Sequence, residues 1–437
     1  MREKAWMAGV LLASLAYGQG PASEKPNFAA LAREQGLAYQ RLTYLCDRIG
    51  PRPAWSAAYA RAAQWALNIM RQDGLENVHL QPVEVPVWDR GSGRLRMLEP
   101  SQRELPVLAL GGSVGTAGLE APVVTVKNLE EVSPQVQGAI VLYAFPMKKP
   151  QDYGMGSRIR SQGASRAAEF GAKAVLLRSL ATASLATPHT GMMRYEEGKP
   201  QIPAAAISQE DADWIARLTA AGVTVRLQLE LGCKTMGTTT AHNVIGEIRG
   251  AQKPDEIVLL GAHLDSWDVG QGAHDNGAGS VQVLEALRLL KLSGMRPART
   301  VRAVLFTNEE FGLDGGQAYA RVYGRQQKHV AAVESDMGGF SPTGWSVKAT
   351  PGQLAVLWPL LAATGLPVRA GWGGADISPL ASFEVPLIGL LPDPTRYFDY
   401  HHTHADTLDK VNEEELEAGT VALAKLAWEL ANAPALP

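Results

Sequence analysis

The chain has 437 residues, of which 46% are hydrophobic and 19% are charged, and its formal net charge is -3. This length allows about two or three domains with a sizeable core, and the composition is that of an ordinary soluble globular protein. The charge leaves no strongly basic surface, so we expect no nucleic-acid partner.

Residues 1–18 are predicted to be an export signal. They combine a positively charged start, an apolar stretch over residues 5–16, and small residues at Ala16 and Gly18 that suit cleavage. The apolar stretch is too short to span a membrane. We therefore expect an exported chain, periplasmic or secreted after removal of the signal. A frayed amphipathic first helix is the alternative.

The two cysteines of the chain are Cys46 and Cys233. An exported protein could pair them, but two cysteines in a chain of this length are not a disulfide framework. The sequence leaves open whether they form a disulfide.

Three segments follow the signal in chain order. Residues 28–72 are predicted to be mostly helical, with a proline-rich turn at 49–53, and alternation over 78–85 predicts a strand. Residues 105–235 contain short β-branched runs and two helical stretches but no cluster of His, Asp and Glu. They predict an inserted α/β domain that restricts access and has no catalytic groups of its own. A polar, Gly/Thr-rich linker is expected over 232–240.

After this insertion, strands and helices alternate regularly to the end of the chain. This pattern predicts an α/β fold with a mostly parallel sheet and helices on both faces. Residues 28–104 and 236–437 are expected to form this one domain.

The segment GAHLDSWDVGQGAHDNGAG, residues 261–279, follows an apolar run that is predicted to be a buried strand. His263 would lie at the carboxyl end of that strand, where open α/β sheets bind ligands. Asp275 follows in a glycine-rich loop. An imidazole and a carboxylate that converge there suit a divalent metal such as zinc. A buried structural histidine and a helix-capping aspartate would have the same sequence.

Three later apolar strands also end in polar loops, which contain Glu309 and Glu310, then Asp336, then His402. Neighbours on an extended segment point in opposite directions, so one glutamate can bind metal while the other faces the reacting water. Two His, two Asp and one Glu at strand ends predict a hydrolytic site with two bridged metals. Such a site lowers the pKa of bound water toward about 7, and a free glutamate then acts as general base.

Four motifs, in this order, resemble the M28 family of co-catalytic zinc peptidases. They are HLDSWDVGQGAHDNGAG, FTNEEFG, ESDMGG and HHTHADT. The segments IGPRPAWS and GGADISPL, with an insertion that is similar to a protease-associated domain, are most similar to the carboxypeptidase Q branch. The resemblance covers about residues 35–430.

This resemblance implies two zinc ions per chain and hydrolysis by a hydroxide that bridges them. It also implies residue roles. The first zinc would be bound by His263 and Asp336 and the second by Glu310 and His402, and Asp275 would bridge them. Glu309 would be the general base. Asp265 would be the carboxylate that orients the His263 imidazole. The family pattern His-Thr-x-x-Asp-Thr selects His402 over His401 and His404.

The sequence departs from many members at two positions. Asn276 stands where a second Asp is common, and Ile377 stands where His follows the Asp of a GG-x-D motif. The first change should tune the site. The second puts substrate recognition by that loop in doubt.

The expected activity is that of a zinc-dependent exopeptidase acting on short peptides, with dipeptides that have free termini as substrates. Asp376 is a candidate partner for the α-amino group, Arg396 for the carboxylate, and His401 is a further substrate-binding candidate. A surface position is the alternative for Arg396. A small peptide is the expected partner, and the resemblance also suggests a homodimer. The competing hypotheses are an inactive, receptor-like binding ectodomain and an amidohydrolase of non-peptide amides.

Overall fold

A computed structural model describes residues 25–437, so the predicted export signal lies outside the described range. Within that range the strands form two eight-stranded sheets. The strands are β1 (Glu76–Asp89), β2 (Gly93–Glu99), β3 (Arg103–Leu105), β4 (Val107–Ala109), β5 (Thr116–Val126), β6 (Ile140–Tyr143), β7 (Ala174–Arg178), β8 (Ala204–Ile207), β9 (Arg226–Leu231), β10 (Lys234–Ile248), β11 (Lys253–His263), β12 (Arg299–Phe306), β13 (Lys328–Glu334), β14 (Pro342–Lys348), β15 (Val368–Ala370) and β16 (Leu387–Pro392). The helices are α1 (Phe28–Gln35), α2 (Ala38–Tyr44), α3 (Ala57–Gln72), α4 (Tyr153–Ala168), α5 (Gln209–Ala220), α6 (Ala278–Leu292), α7 (Glu309–Gly312), α8 (Asp314–Tyr319), α9 (Pro351–Ala362), α10 (Tyr397–Tyr400) and α11 (Glu413–Asn432).

The first sheet has the strand order β1-β10-β12-β11-β13-β16-β14-β15. Its four central strands, β12, β11, β13 and β16, run parallel, as the alternation of strands and helices predicts. Strands β10 and β14 join this centre in antiparallel fashion. The carboxyl ends of the four parallel strands therefore lie at one edge of the sheet.

Both faces of this sheet are covered, which explains why its central strands are apolar without alternation. Val258 and Leu260 pack in one core with α3, α6 and α11. Leu259, between them, points to the opposite face and packs with Tyr319 of α8. Burial of each such aliphatic side chain contributes about 1.5–3 kcal/mol, so the strand ends are anchored in a stable scaffold.

The second sheet has the strand order β3-β2-β9-β5-β6-β7-β8-β4 and carries α4 on one face and α5 on the other. It begins with β2 at Gly93, before the boundary predicted at residue 105, because β2 pairs with β9. The linker predicted over 232–240 is wrong. From Lys234 onward it is the first half of β10, paired with β1 as far as Asp89, and its threonines are β-branched residues that suit a strand.

The two cysteines, whose pairing the sequence leaves open, do not form a disulfide. Cys46 and Cys233 are both buried and unpaired, and burial raises the pKa of the Cys46 thiol to about 12. None of the helices in residues 25–437 is long and apolar enough to cross a membrane.

A buried arginine connects the helical N-terminal segment to the first sheet. Arg52, in the turn before α3, has no exposed surface. Burial lowers its pKa. Its guanidinium donates to four main-chain carbonyls, three of which lie in the loop between β11 and α6. The acceptors are Gly50 (3.3 Å), Leu264 (2.6 Å), Gln271 (2.8 Å) and Gly272 (2.9 Å). Arg52 therefore fixes the path of the chain that contains Asp275.

Replacing Arg52 by lysine should destabilise the protein strongly. A single ammonium group cannot reach four diverging carbonyls, and each buried acceptor left unsatisfied costs about 1–3 kcal/mol. We expect Arg52→Lys to lower the free energy of unfolding in urea by about 3 kcal/mol or more. The control is Arg61→Lys on the exposed side of α3, which should stay within about 0.5 kcal/mol. Equal effects of the two substitutions would show that Arg52 has no such role.

Candidate metal centre

The five predicted ligands lie together at the carboxyl edge of the parallel strands. His263 ends β11, Glu310 follows β12, Asp336 follows β13, and His402 follows β16 after a short helix. Asp275 reaches the same point from the loop between β11 and α6. The sheet topology alone brings four of these residues together, because parallel neighbours end at the same edge.

Asp275 lies between two groups of possible ligands. Its Oδ1 is 3.2 Å from Nε2 of His263, which is 3.0 Å from Oδ1 of Asp336. Its Oδ2 is 3.1 Å from Nε2 of His402, which is 3.0 Å from Oε2 of Glu310. Each group of three residues is compact enough to hold one metal ion. The arrangement is that of two sites that share one bridging carboxylate.

The donor atoms of the two groups are better suited to bind divalent cations than to hydrogen-bond one another. Within residues 25–437, the buried Oδ2 of Asp275 and Oε1 of Glu310 have no hydrogen-bond partner. Burial and the Asp275 carboxylate raise the pKa of Glu310 to about 7. Burial alone would lower the pKa of His402, but the carboxylates of Glu310 and Asp275 raise it well above its usual value. Carboxylates and imidazoles thus share protons that metal ions would displace.

The two adjacent glutamates are held in different orientations by a short helix. The sequence predicts an extended segment here, but Asn308 adopts a left-handed conformation (φ 59°) and Glu309 and Glu310 form the first turn of α7. Glu310 points to His402, whereas Glu309 is partly exposed and belongs to neither ligand group. Burial raises the pKa of Glu309 well above its usual value; the charge of His263 opposes this shift, while Asp336 adds to it.

Asp265 fixes this pair of glutamates rather than the imidazole ring alone. Its two carboxylate oxygens accept the main-chain N–H groups of Glu309 (3.2 Å) and Glu310 (3.4 Å). The Nδ1 atom of His263 lies 3.0 Å from the main-chain carbonyl of Asp265 and 3.7 Å from its carboxylate. Asp265 therefore orients His263 through its backbone and α7 through its side chain, a role wider than the one the sequence implies.

The loop of Asp275 is held by two other polar side chains. The carboxylate of Asp406 accepts the main-chain N–H groups of His274 (2.7 Å) and Asp275 (3.1 Å). Asn276 accepts from Gly279 (3.0 Å) and donates its amide N–H to the carbonyl of Ser335 (2.9 Å). An ionised aspartate could not make the second bond, which is the physical reason that Asn suits this position.

Asp376 lies beside the centre with both carboxylate oxygens buried and without a hydrogen-bond partner in the described part of the chain. Glu334 holds its loop, since its two oxygens accept the N–H groups of Ala375 (2.7 Å) and Ile377 (2.9 Å). Burial and the Glu334 carboxylate raise the pKa of Asp376 well above its usual value. The side chain of Ile377 points into the core and is fully buried.

The structure does not bring Arg396 to the centre. Its Nη2 donates to both oxygens of Glu415 (2.7 and 2.8 Å), and its guanidinium lies 4.7 Å from the centroid of the Phe340 ring. Glu415 is in the first turn of α11, where its N–H donates to the Asn412 side chain (3.0 Å). One nitrogen of the fork that the carboxylate-binding hypothesis requires, Nη2, is therefore already paired with Glu415.

The inserted domain reaches the segment that contains His402, although the sequence predicts that it has no catalytic groups of its own. His189, in the loop between β7 and β8, is fully buried, and its Nε2 lies 3.0 Å from Nδ1 of His401. His401 stacks on His402, with ring centroids 3.6 Å apart. Sequence reasoning missed this contact because the two histidines are 212 positions apart and no periodic pattern connects them.

Narrow clefts flank the ligands on two sides. One is lined by Trp267, His402 and Thr403 beside Asp275. The other lies beside Asp336 and Met337, with Gly373 and Gly374 along it and Trp372, which is 61% exposed, at its rim.

Comparisons with known proteins agree with this geometry. Residues 243–427 match peptidase family M28, and residues 105–215 match the PA domain. Carboxypeptidase Q of Homo sapiens is 37% identical over 416 residues, which cover 93% of this chain and 88% of that protein. A crystal structure of a peptidase M28 precursor from Shewanella amazonensis has a TM-score of 0.89 at 39% identity, with 94% of this chain and 97% of that chain covered. A zinc aminopeptidase of Bacillus subtilis shares the fold, with a TM-score of 0.69, 23% identity and coverage of 91% and 95%.

Shared coordination by Asp275 predicts an asymmetric response to ligand substitutions. We expect the metal-free protein to bind two Zn²⁺ in competition with a chromogenic chelator. Asp336→Asn and Glu310→Gln should each lower the affinity for one of the two ions, whereas Asp275→Asn should lower the affinity for both. Each loss of affinity should exceed the roughly 10- to 100-fold that results from removing a residue behind a ligand. Asp409→Asn, on an exposed carboxylate, is the control. Weakening of only one ion by Asp275→Asn would contradict the bridge.

Proposed function

The chain belongs to peptidase family M28, with a PA domain inserted in the peptidase fold, and from this premise we propose that it is a zinc-dependent exopeptidase of short peptides with free termini. One observation carries the proposal. The two oxygens of Asp275 face separate ligand groups, and Glu309 lies beside them outside both groups. A two-metal hydrolytic centre needs this combination of a bridging carboxylate and a free base.

The choice of zinc follows from the donor set. Imidazole nitrogens and carboxylate oxygens in groups of three are typical of catalytic zinc, which keeps one position open for water or substrate. The related Bacillus subtilis structure is that of a zinc aminopeptidase. When bound, the two ions would polarise the scissile carbonyl and lower the pKa of water. We propose two ions per chain, one in each ligand group.

Glu309 is the proposed general base. Its carboxylate would take a proton from the attacking water and pass it to the leaving amine. A carboxyl group with a raised pKa can both accept and return a proton near neutral pH, and burial together with the Asp336 carboxylate raises the pKa of Glu309 against the opposing charge of His263. Asp265 would keep Glu309 in place, because it holds the main-chain N–H groups of α7.

The amino end of the substrate is the end that we propose this centre reads. Asp376 offers a buried carboxylate without a partner, whose cost of burial would fall if an ammonium group bound beside it. Arg396 is no longer a candidate for the carboxyl end, because its Nη2 pairs with Glu415 in the first turn of α11. The related proteins bear names for both ends, carboxypeptidase Q and aminopeptidase, and a substrate with both ends free satisfies both. Export of the chain and a homodimer remain predictions.

Replacing Glu309 by Gln should separate catalysis from metal binding. We expect Glu309→Gln to lower turnover of a dipeptide by about 10²- to 10⁴-fold, the usual contribution of a general base, while both zinc ions stay bound. The matched control is the neighbouring Glu310→Gln, which should lose metal first. Activity and zinc content, measured on the same preparations, check both expectations. If Glu309→Gln sheds zinc and Glu310→Gln retains it, the two roles are reversed.

Blocking each end of a dipeptide should show which end is read. We expect acetylation of the amino end to lower kcat/KM more than amidation of the carboxyl end, because the free amine would lie closer to the reacting carbonyl. Asp376→Asn should reduce this difference, since it removes the carboxylate that would pair with the free amine. The panel includes aminoacyl arylamides, blocked peptides and long peptides. Equal cleavage of acetylated and free dipeptides would rule out the proposal that the amino end is read, and a preference for internal bonds of long peptides would rule out the exopeptidase assignment.

A further inference from the structure

The loop between β7 and β8 of the inserted domain runs along the chain segment that contains His402. Near its start, the N–H of Thr182 donates to the carbonyl of Phe398 (3.0 Å), and its hydroxyl donates to Asp399 (2.6 Å). Near its end, the N–H of Thr190 donates to the carbonyl of His402 (3.0 Å). The two segments are therefore joined at both ends of their contact.

Thr190 also determines which nitrogen of His402 is free to bind metal. The Nδ1 atom of His402 lies 3.3 Å from the carbonyl oxygen of Thr190. A carbonyl only accepts hydrogen bonds, so Nδ1 carries the proton and Nε2 has a free lone pair. It is Nε2 that faces Asp275 and Glu310. His402 has a positive φ of 56°, which is unfavourable for a residue with a side chain, and the bond from Thr190 holds it there.

A second path of contacts leads from the inserted domain toward the bridging carboxylate through His401. Nε2 of His401 lies 3.4 Å from Oδ2 of Asp275, and the His401 ring stacks on the His402 ring with centroids 3.6 Å apart. Nδ1 of His401 lies within hydrogen-bond distance, 3.0 Å, of Nε2 of His189. His189 is fully buried, and its own Nδ1 has no partner within residues 25–437. Within the described residues, the His189 ring therefore makes one hydrogen bond, the one to His401.

We propose that His189 is a positioning residue of the metal centre, which acts through His401 on the orientation of Asp275 and, with Thr190, makes the inserted domain a structural part of the second zinc site. The inference rests on the two-zinc centre of the proposed function. It has a specific consequence. Oδ2 of Asp275 faces the group of Glu310 and His402. Loss of His189 should therefore lower the affinity for the second ion and leave the affinity for the ion at His263 unchanged.

The test is a Zn²⁺ titration of the full-length chain in competition with a chromogenic chelator. Partners behind a metal ligand typically contribute about 10- to 100-fold to affinity. We expect His189→Phe, which keeps an aromatic ring but removes the ring nitrogens, to lower the affinity for one of the two ions by about that factor. His189→Gln can place an amide N–H near the position of Nε2 and should restore most of the affinity. His189→Asn places its amide near Nδ1 and should not.

Two further variants separate positioning from general packing. In a His401→Phe background, His189→Phe should cost no additional affinity, because the path through His401 is already broken. His404→Phe, on an exposed histidine of the same segment, should bind both ions as the unmodified chain does. If His189→Phe does not fold, the comparison of Gln with Asn at the same position decides the question.

The outcomes for this inference and for the proposed function can be told apart. Unchanged affinity for both ions in the folded His189 variants, equal affinities of the Gln and Asn variants, or equal weakening of both ions would overturn the role of His189. Two bound ions without hydrolysis of any peptide would overturn the proposed activity and leave the role of His189 standing.

Discussion

Buried carboxyl groups collect at the carboxyl edge of the parallel strands, and the stability of this edge requires that their charges be balanced. Burial raises the pKa of Asp265, Glu310 and Asp336, and the nearby carboxylates of Asp275 and Glu309 cannot all stay ionised without positive charge among them. Two imidazoles supply part of that charge. Divalent cations would supply the rest, and Asp275 has one oxygen for each of two ions. The chemistry that we propose and the electrostatic balance of the fold therefore have the same origin.

The loops that carry these groups are held by polar residues that are not ligands themselves. Arg52 and Asp406 fix the segment of Asp275 through main-chain carbonyls and N–H groups, and Asp265 fixes α7 in the same way. Main-chain contacts of this kind set the position of a side chain without competing for its functional atoms. The inserted domain adds a further support at His402, so this domain and the peptidase domain meet at the centre rather than only around it.

Much of the fold and of the centre could be predicted from the sequence, because each ligand lies at the end of a strongly apolar strand or in the loop after it, and parallel strands end at a common edge. The rest depended on contacts that leave no local pattern. The left-handed Asn308 turns an expected extended segment into α7, and the pairing of Arg396 with Glu415 removes a substrate-binding candidate. Threonines that read as a polar linker extend β10, because β1 offers a long partner strand. His189 was missed because only the tertiary fold brings it to His401.

We propose that one carboxylate, Asp275, holds two ions. The most direct measurement is anomalous X-ray diffraction at the zinc absorption edge, on crystals of the full-length protein grown with Zn²⁺. We expect two anomalous peaks roughly 3.5 Å apart, one on each oxygen of Asp275, with His263 beside one peak and His402 beside the other. A single peak, or two peaks of which only one touches Asp275, would contradict it.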